Sequence, residues 1–310
     1  MVRVDLVRDS RRLRVSVELK KGSGMILLTG ATGKTGMAAA TAIAAAGHKA
    51  RVVTRDAAKA SQLAALGHEI AVGDLSDLQF LKDAMRGIDR AFLLLPNTEQ
   101  QGNMEARFTD TAKASGVRHL VKISSIEAHA GIGARVPEMH AASEAYVKAS
   151  GLEWTMVKPN FFMQTLLAAA NGVKARGELT MPVGGARISM VDCRDAGAVI
   201  AKVLLEPGHE GQSYKLTGSE SVTFVEIATR LSRIIDKPVK FVDPPLAAYR
   251  ENLLKALPDP WRVEAVCEIF ATTAKGQREI EAITDTFQEL LGRSPIGLDT
   301  FLSDYKRAFS

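Results

Sequence analysis

The most constraining feature of the chain is a glycine-rich segment that reads Gly30-Ala31-Thr32-Gly33-Lys34-Thr35-Gly36. It follows an apolar run, 25–29, that predicts a buried strand, and it opens an alanine-rich stretch, 34–46, that predicts a helix. Glycines at this GxxGxxG spacing permit a tight turn and let backbone N–H groups approach a pyrophosphate. The helix N-terminus adds the positive end of its dipole. The segment therefore predicts a dinucleotide-binding site.

A phosphate loop of the kind that hydrolyses nucleoside triphosphates is the alternative reading of this segment. Gly33-Lys34-Thr35 matches the end of GxxxxGK[ST], but that motif needs a glycine at position 28, where the chain has Leu28. The turn before Gly33 is then too short to wrap around a triphosphate. We therefore reject nucleotide hydrolysis.

Apolar runs and helical patterns alternate along the first half of the chain. The predicted strands are 25–29, 50–54, 69–72, 90–95, 119–123 and 154–157, and the predicted helices between them are 34–46, 59–66, 78–85, 104–114 and 138–149. The strands lack polar alternation, which is typical of parallel strands buried on both faces. The chain is therefore predicted to be an α/β protein with a doubly wound parallel sheet, the Rossmann fold.

The rest of the chain is predicted to be mostly helical. A helix at 195–205 and a strand at 212–216 complete the sheet domain, and the helices expected after it are 223–235, 246–256, 260–270, 275–291 and 298–309. The expected division has three parts. These are a basic extension, 1–24, a cofactor-binding domain, 25–160 with 186–217, and a smaller substrate-covering subdomain, 161–185 with 218–310.

The net charge of +5 comes almost entirely from the extension, which holds seven basic and three acidic residues. The body is close to neutral, so we expect no nucleic-acid partner. No apolar run approaches the ~18 residues of a membrane helix, and no apolar segment typical of a secretory signal follows the basic start. Cys193 and Cys267 stand far apart, so neither a disulfide framework nor a metal site is expected, and the cytoplasm is the expected compartment. The oligomeric state stays open, although apolar alternation at 13–19 would allow a strand that pairs two copies.

The choice between NAD and NADP is made after the second strand, where NAD sites carry an acidic residue and NADP sites an arginine. The order here is Arg55-Asp56, and Lys34 adds a second positive charge, so NADP(H) is favoured over NAD(H). Asp56 leaves some ambiguity, with a helix cap as its other role. Asp74 after the third strand is expected at the adenine or as another cap. The expected cofactor residues are Gly30, Thr32, Gly33, Lys34, Thr35, Gly36, Arg55, Asp74, Leu75, Leu95, Ser124 and Pro159.

These motifs together resemble the NmrA-like group of atypical short-chain dehydrogenases/reductases. Besides the loop and Arg55, the resemblance rests on Gly73-Asp74, HLVKISS (119–125), His140…Glu144, KPNFFMQ (158–164), VDCRDA (191–196), EPGHEGQSYKLTG (206–218) and GRSP (292–295). The resemblance implies an NAD(P)H-dependent reductase of quinones, azo dyes or triphenylmethane dyes. Other members of the group resemble catalytically silent NADP sensors that bind a regulator.

The catalytic pair Tyr-x-x-x-Lys of ordinary short-chain dehydrogenases is missing. His140 and Glu144 stand at that spacing, and Tyr146 has Ser150 four residues later. We consider His140, with a pKa expected near neutrality, and Ser125 as candidate catalytic groups. Glu144 is interpreted as a partner of Lys148 on a solvated face. The position of Lys122, inside an apolar strand, stays open between the sheet edge and the cofactor.

Asn160, Phe161 and Phe162 follow the sixth strand and are the expected substrate residues, with the two rings forming an apolar wall. The sequence thus predicts an NADPH-dependent reductase of a small, apolar, electron-poor acceptor such as a quinone or dye. The alternative is an NADP(H)-binding redox sensor that acts through a protein partner without catalysis.

Overall fold

The computed structural model describes residues 8–9, 12–13 and 24–310. Within the predicted extension, Arg8–Asp9 pairs antiparallel with Arg12–Leu13. The rest of the extension, including most of the stretch 13–19 considered for a second copy, lies outside the described residues.

A seven-stranded parallel sheet organises the main domain. Its strands are β1 (Met25–Leu28), β2 (Ala50–Thr54), β3 (Glu69–Val72), β4 (Ile88–Leu93), β5 (His119–Ile123), β6 (Glu153–Pro159) and β9 (Gln212–Leu216). They lie in the order β9-β6-β5-β4-β1-β2-β3, and every neighbouring pair is parallel. The strand order reverses next to β1, so the glycine-rich segment lies at the topological switch point, where this fold binds its ligands. The predicted doubly wound sheet is confirmed.

Helices cover both faces of this sheet. One face packs on α1 (Lys34–Ala45), α2 (Ser61–Ala65) and α7 (Cys193–Leu205), and the other on α3 (Leu78–Ala84), α4 (Gln101–Ala114) and α5 (Arg135–Ala149). Leu28 and Leu27 are both fully buried, one in each layer, which explains why the strands read as continuous apolar runs. α1 and α7 approach closely because Gly197 has no side chain; a Cβ there would lie 2.5 Å from the Cβ of Ala38.

A second hydrophobic core forms from the segments around 163–190 and 222–309. Its helices are α6 (Ala170–Arg176), α8 (Phe224–Ile235), α9 (Leu246–Ala256), α10 (Pro260–Thr273), α11 (Arg278–Glu281), α12 (Thr286–Leu291), α13 (Leu298–Asp304) and α14 (Lys306–Phe309). Two small sheets pair β7 (Glu178–Thr180) with β11 (Lys240–Val242) and β8 (Arg187–Ile188) with β10 (Val222–Thr223). Sequence reasoning missed β8, β10 and β11. This core is the basis on which we propose the smaller subdomain.

The single helix expected over 275–291 is wrong, because residues 282–285 separate α11 from α12. Thr284 donates its backbone N–H to Thr217 Oγ1 at 3.0 Å, and its own hydroxyl bonds to the carbonyl of Lys215 at 3.0 Å. These bonds hold the chain across the end of β9 in place of a helical turn. Beyond the break, Phe287 packs into the core of the sheet domain, although the expected division assigned it to the subdomain.

Candidate functional site

The glycine-rich loop folds as a tight turn between β1 and α1. Gly30 adopts φ +66°, and its carbonyl accepts the N–H of Gly33 at 3.0 Å. A Cβ at Gly36 would lie 2.3 Å from the carbonyl oxygen of Gly30, so helix and loop can meet only through glycine. No side chain caps the start of α1, where Gly33 is the N-cap. The N–H groups of its first turn are therefore available to an anion.

Thr29, which sequence reasoning missed, fixes the neighbouring strand end to this turn. Its hydroxyl accepts the N–H of Leu94 at 2.8 Å and lies 2.9 Å from the carbonyl of Phe92. The side chain is fully buried at the end of β1. It therefore sets the distance between the glycine-rich loop and the segment after β4.

A cleft of about 330 Å³ opens beside the loop, over the ends of β2, β3 and β4. Six of the predicted cofactor residues line it, namely Gly30, Thr32, Arg55, Asp74, Leu75 and Leu95. Sequence reasoning missed Lys59, which also lines the cleft. Its positive charge, four residues after Arg55, was the available signal, although no helix contains both residues, since the short 3-10 helix begins at Ala58.

Cations gather around the far end of this cleft. Hydrogen bonds from Ser76 and then the charges of Arg55 and Arg107 lower the pKa of Asp74. Asp56 uses one carboxylate oxygen to accept the N–H of Ala58 at 2.9 Å, which is a turn contact and not the helix cap considered above, since Ala57 is the N-cap of the short 3-10 helix that follows. The positive charges at this end are thus only partly offset by neighbouring carboxylates.

A second cavity of about 300 Å³ lies on the other side of the loop. Gly33, Lys34 and Thr35 line it together with Phe162, and Leu94 lines both cavities. The two cavities adjoin at Leu94, and we refer to them together as the groove from Arg55, past the loop, to Phe162. The groove brings the loop residues and one of the expected substrate residues together.

Lys122 lies at neither of its two expected positions, because it is fully buried in the protein interior. Its ammonium lies 3.0 Å from a carboxylate oxygen of Glu105, which is 1% exposed. It also donates to His140 Nδ1 at 3.2 Å and to the carbonyl of Ile123 at 3.0 Å. Burial lowers the pKa of Lys122, and the charge of Glu105 opposes that shift.

The expected pKa of His140 near neutrality is wrong. The ring is buried, and the charges of Lys122 and Lys158 add to the burial, so the pKa falls well below its ordinary value. Since Lys122 donates to Nδ1, the neutral ring carries its proton on Nε2. His140 can therefore donate a hydrogen bond at neutral pH but holds no positive charge. Its catalytic role stays a prediction.

Glu144 is buried, which contradicts the solvated face expected for it. Ser124 donates to it at 2.5 Å, and the ammonium of Lys158 lies 2.8 Å away, besides the expected Lys148 at 3.3 Å. Burial raises the pKa of Glu144, but the bonds from Lys158 and Ser124 outweigh it and leave the pKa below its ordinary value. Glu144 is therefore an ionised carboxylate at neutral pH.

The remaining expected residues lie along the carboxyl ends of β5 and β6. Asn160 is buried, and its amide donates to Ser189 Oγ and to the carbonyl of Ile280, each at 2.8 Å, so it joins the sheet to α11. Phe161 packs on the second core, and the carbonyl of Pro159 accepts the N–H of Ile126 at 3.1 Å. Ser125 Oγ accepts the N–H of Glu127 at 3.2 Å. None of these four, nor Gly36, Ser124 or His140, lines the two cavities among the described residues.

The open loop, the switch-point position and the groove define an enzyme fold that binds a nicotinamide dinucleotide. The chain belongs to the NmrA-like family, whose model matches residues 22–302. It is 32% identical over 285 residues to the NAD(P)H azoreductase of Xenophilus azovorans, covering 92% of this chain and 99% of that protein. The resemblance stated from the motifs is thereby confirmed, and the chain is an NAD(P)H-dependent oxidoreductase.

Solved structures show the same fold. The NADPH complex of a quinone oxidoreductase from Escherichia coli has a TM-score of 0.80 and 24% identity, covering 90% of this chain and 99% of that one. The NADP(H) complex of a triphenylmethane reductase from Citrobacter sp. has a TM-score of 0.79 and 22% identity, covering 91% and 99%. In the part of the chain that the structure describes, no cluster of His, Cys, Asp and Glu could hold a metal ion. Nor does any helix there combine the length and apolarity of a membrane span.

Proposed function

We propose that this protein transfers hydride from NADPH to a small, apolar, electron-poor acceptor such as a quinone or an azo dye. The observation that carries the proposal is the pair of adjoining cavities on either side of the uncapped start of α1, one lined by Arg55 and the other by Phe162. Their lining suits a dinucleotide with a phosphate-rich middle and a flat ring at one end. When bound, NADPH supplies the hydride.

The chain's own residues divide the remaining tasks. The backbone of Gly30–Gly33 and the first turn of α1 bind the pyrophosphate. Leu94, which borders both cavities, separates the two ends of the cofactor, and Phe162 and the adjoining apolar groups exclude water from the acceptor. Neutral His140 and ionised Glu144 organise the carboxyl end of β5 from inside the protein.

Preference for NADPH over NADH rests on Arg55 and Lys59. Both are exposed at the far end of the cleft, where they can hold a 2′-phosphate. A charge-assisted hydrogen bond contributes about 1.5–3 kcal/mol, so Arg55→Ala should weaken NADPH binding roughly 10- to 100-fold and leave NADH binding unchanged. Arg86→Ala, an exposed arginine outside the cleft, is the matched control. Equal losses for both cofactors would contradict the assignment.

Turnover tests the reaction itself. Purified protein is mixed with NADPH and a panel of quinones and azo dyes, and the nicotinamide absorbance is followed. Loss of that absorbance in proportion to reduced acceptor is the expected result. Tight NADPH binding without turnover of any acceptor would reject the reductase in favour of the sensor, which predicts a protein partner that exchanges with cofactor state.

A further inference from the structure

A third cavity, of about 450 Å³, adjoins the second one, because Lys34, Gln164 and Cys193 line both. It runs along α1 beyond the glycine-rich loop and reaches Tyr305, near the C-terminus of the chain. The groove proposed for NADPH does not include it. Small-molecule sites typically have volumes of roughly 300–1,000 Å³. The third cavity is therefore large enough to hold part of an acceptor that reacts in the second one.

The wall of the third cavity is mostly apolar and carries two cations. Its apolar side chains on α1 are those of Met37, Ala38, Ala42 and Ala45. Among the described residues that line the cavity, none is acidic. Arg194 is one of the two cations, and it is bonded to Asp192 at 2.8 Å and to Asp304 at 2.7 Å, neither of which lines the cavity. The charge of Arg194 is thus already compensated from within the protein.

Lys34 is the other cation, and its charge is not compensated in this way. Its ammonium donates to the carbonyl of Gln164 at 3.4 Å, and it forms no ion pair with a carboxylate of the described residues. The side chain is exposed and lies at the boundary between the second and third cavities. Arg55 lines the first cavity instead, on the other side of the loop. The charge of Lys34 therefore does not face the end of the groove proposed for the 2′-phosphate.

We propose that Lys34 selects acceptors that carry a negatively charged substituent, such as an aromatic carboxylate or sulfonate, and that the third cavity holds the part of the acceptor beyond that substituent. The proposal deepens the reductase function proposed above and rests on it. The group that takes up hydride lies in the second cavity beside Phe162, and the substituent reaches the Lys34 ammonium at the boundary. A further ring packs on the apolar face of α1 and on Tyr305.

The electrostatics of Lys34 give the selection a sign. An unpaired ammonium attracts an anionic acceptor, contributes little to a neutral one and repels a cationic one. The pyrophosphate of NADPH is the other anion near the start of α1, and the N–H groups of the first turn are available to bind it. A lysine that serves only the cofactor would affect every acceptor alike, whereas a lysine that binds the substituent distinguishes acceptors by their charge.

The test compares a naphthoquinone with its sulfonated derivative at saturating NADPH. Lys34→Met removes the charge and keeps most of the length of the side chain. The ratio of kcat/KM for the sulfonated quinone to kcat/KM for the parent quinone should fall roughly 3- to 10-fold, mainly through KM. Both acceptors meet the same NADPH complex, so a change in cofactor binding cancels from this ratio. Lys34→Arg should restore the ratio, and Lys82→Met, an exposed lysine on α3 that lines none of the three cavities, is the matched control.

Two further measurements separate the charge of Lys34 from other effects. A cationic triarylmethyl dye should change in the opposite direction, so its kcat/KM relative to the parent quinone should rise in Lys34→Met. Added salt should raise the KM of the sulfonated quinone in the wild type but much less in Lys34→Met, because salt screens an exposed charge.

A bulky side chain in the third cavity tests where the rest of the acceptor lies. Thr41 lines this cavity but not the second one, and it is exposed on α1. Thr41→Trp should therefore lower kcat/KM for a sulfonated azo dye with two aromatic groups roughly 10-fold relative to the smaller sulfonated quinone. Equal kcat/KM values in the wild type and Thr41→Trp would exclude the third cavity from the acceptor site.

The outcomes distinguish this proposal from the reductase function. If the wild-type protein reduces no quinone and no dye, the reductase function fails and the acceptor preference fails with it. If the wild type reduces them, and Lys34→Met leaves the ratio unchanged or Lys82→Met lowers it as much, the acceptor preference alone is overturned.

Discussion

The buried pair Lys122–Glu105 gives a prediction whose size can be worked out from its burial. Replacing Lys122 by Met removes the cation that lies 3.0 Å from the Glu105 carboxylate, and both side chains are essentially inaccessible to water. Breaking a buried pair in this way typically costs about 3–5 kcal/mol. The loss of stability has an upper limit, however, because a proton bound to the carboxylate removes the uncompensated charge.

Protonating a glutamate of ordinary pKa costs about 3–4 kcal/mol at pH 7 and about 1 kcal/mol at pH 5. Lys122→Met should therefore lower the melting temperature by roughly 6–8 °C at pH 7 and by roughly 2 °C at pH 5. His140 also loses its cationic neighbour in this variant, and a proton bound to His140 would likewise limit the loss of stability. The sign follows because a buried carboxylate without its cation must take up a proton, and that costs more free energy as the pH rises.

Glu105→Gln should show the opposite pH dependence. It leaves the buried ammonium of Lys122 unpaired, and deprotonating a lysine costs about 4–5 kcal/mol at pH 7 but about 2 kcal/mol at pH 9. The double variant, Lys122→Met with Glu105→Gln, buries neither charge and should recover most of the wild-type stability at every pH. Thermal melts of the three variants between pH 5 and 9 measure this. Parallel losses at all pH values, or a double variant as unstable as the sum of the single ones, would refute the reasoning.

Four substitutions, one of them a control, test other parts of the structure. Gly36→Ala should weaken NADPH binding at least tenfold, since its Cβ would lie 2.3 Å from a backbone oxygen. Gly102→Ala on α4 is the control, because its Cβ meets nothing within 4 Å and should stabilise the helix by up to about 1 kcal/mol. Gly197→Ala should lower the free energy of unfolding by about 1–3 kcal/mol, because the added methyl group pushes α1 away from α7. An unchanged melting temperature would show that the two helices do not pack this closely. Tyr146→Phe should leave turnover within twofold of wild type, and a large loss would restore the tyrosine mechanism.

The sheet and the loop were predictable because their signals are local. β2, β3, β5 and β9 match the predicted bounds. β2 and β5 are short buried runs between breakers, whereas β3 and β9 are partly exposed strands at the two edges of the sheet. The glycine spacing likewise predicted a turn whose geometry the structure shows in Gly30 and Gly36. β8, β10 and β11 were missed because strands of two or three residues owe their pairing to distant neighbours rather than to their own sequence.

The polar interior was not predictable for the same reason. Lys122 meets Glu105 across 17 residues, and Glu144 meets Lys158 from the next strand, so neither pair has a helical or hairpin spacing. Sequence reasoning assigned Glu144 to Lys148 because four-residue spacing is the pattern it can detect. The contact exists, but it is the weakest of three around a buried carboxylate.

These buried charges set the protonation states at the place where ordinary short-chain dehydrogenases carry Tyr-x-x-x-Lys. In the usual pair, the lysine lowers the pKa of a phenol, so a cation must stand next to the donor. Here the cations Lys122 and Lys158 are held by Glu105 and Glu144, while burial, together with the charges of the two lysines, keeps His140 neutral. His140 and Glu144 stand at the spacing of the usual pair, but they are a neutral ring and a carboxylate rather than a phenol activated by a lysine.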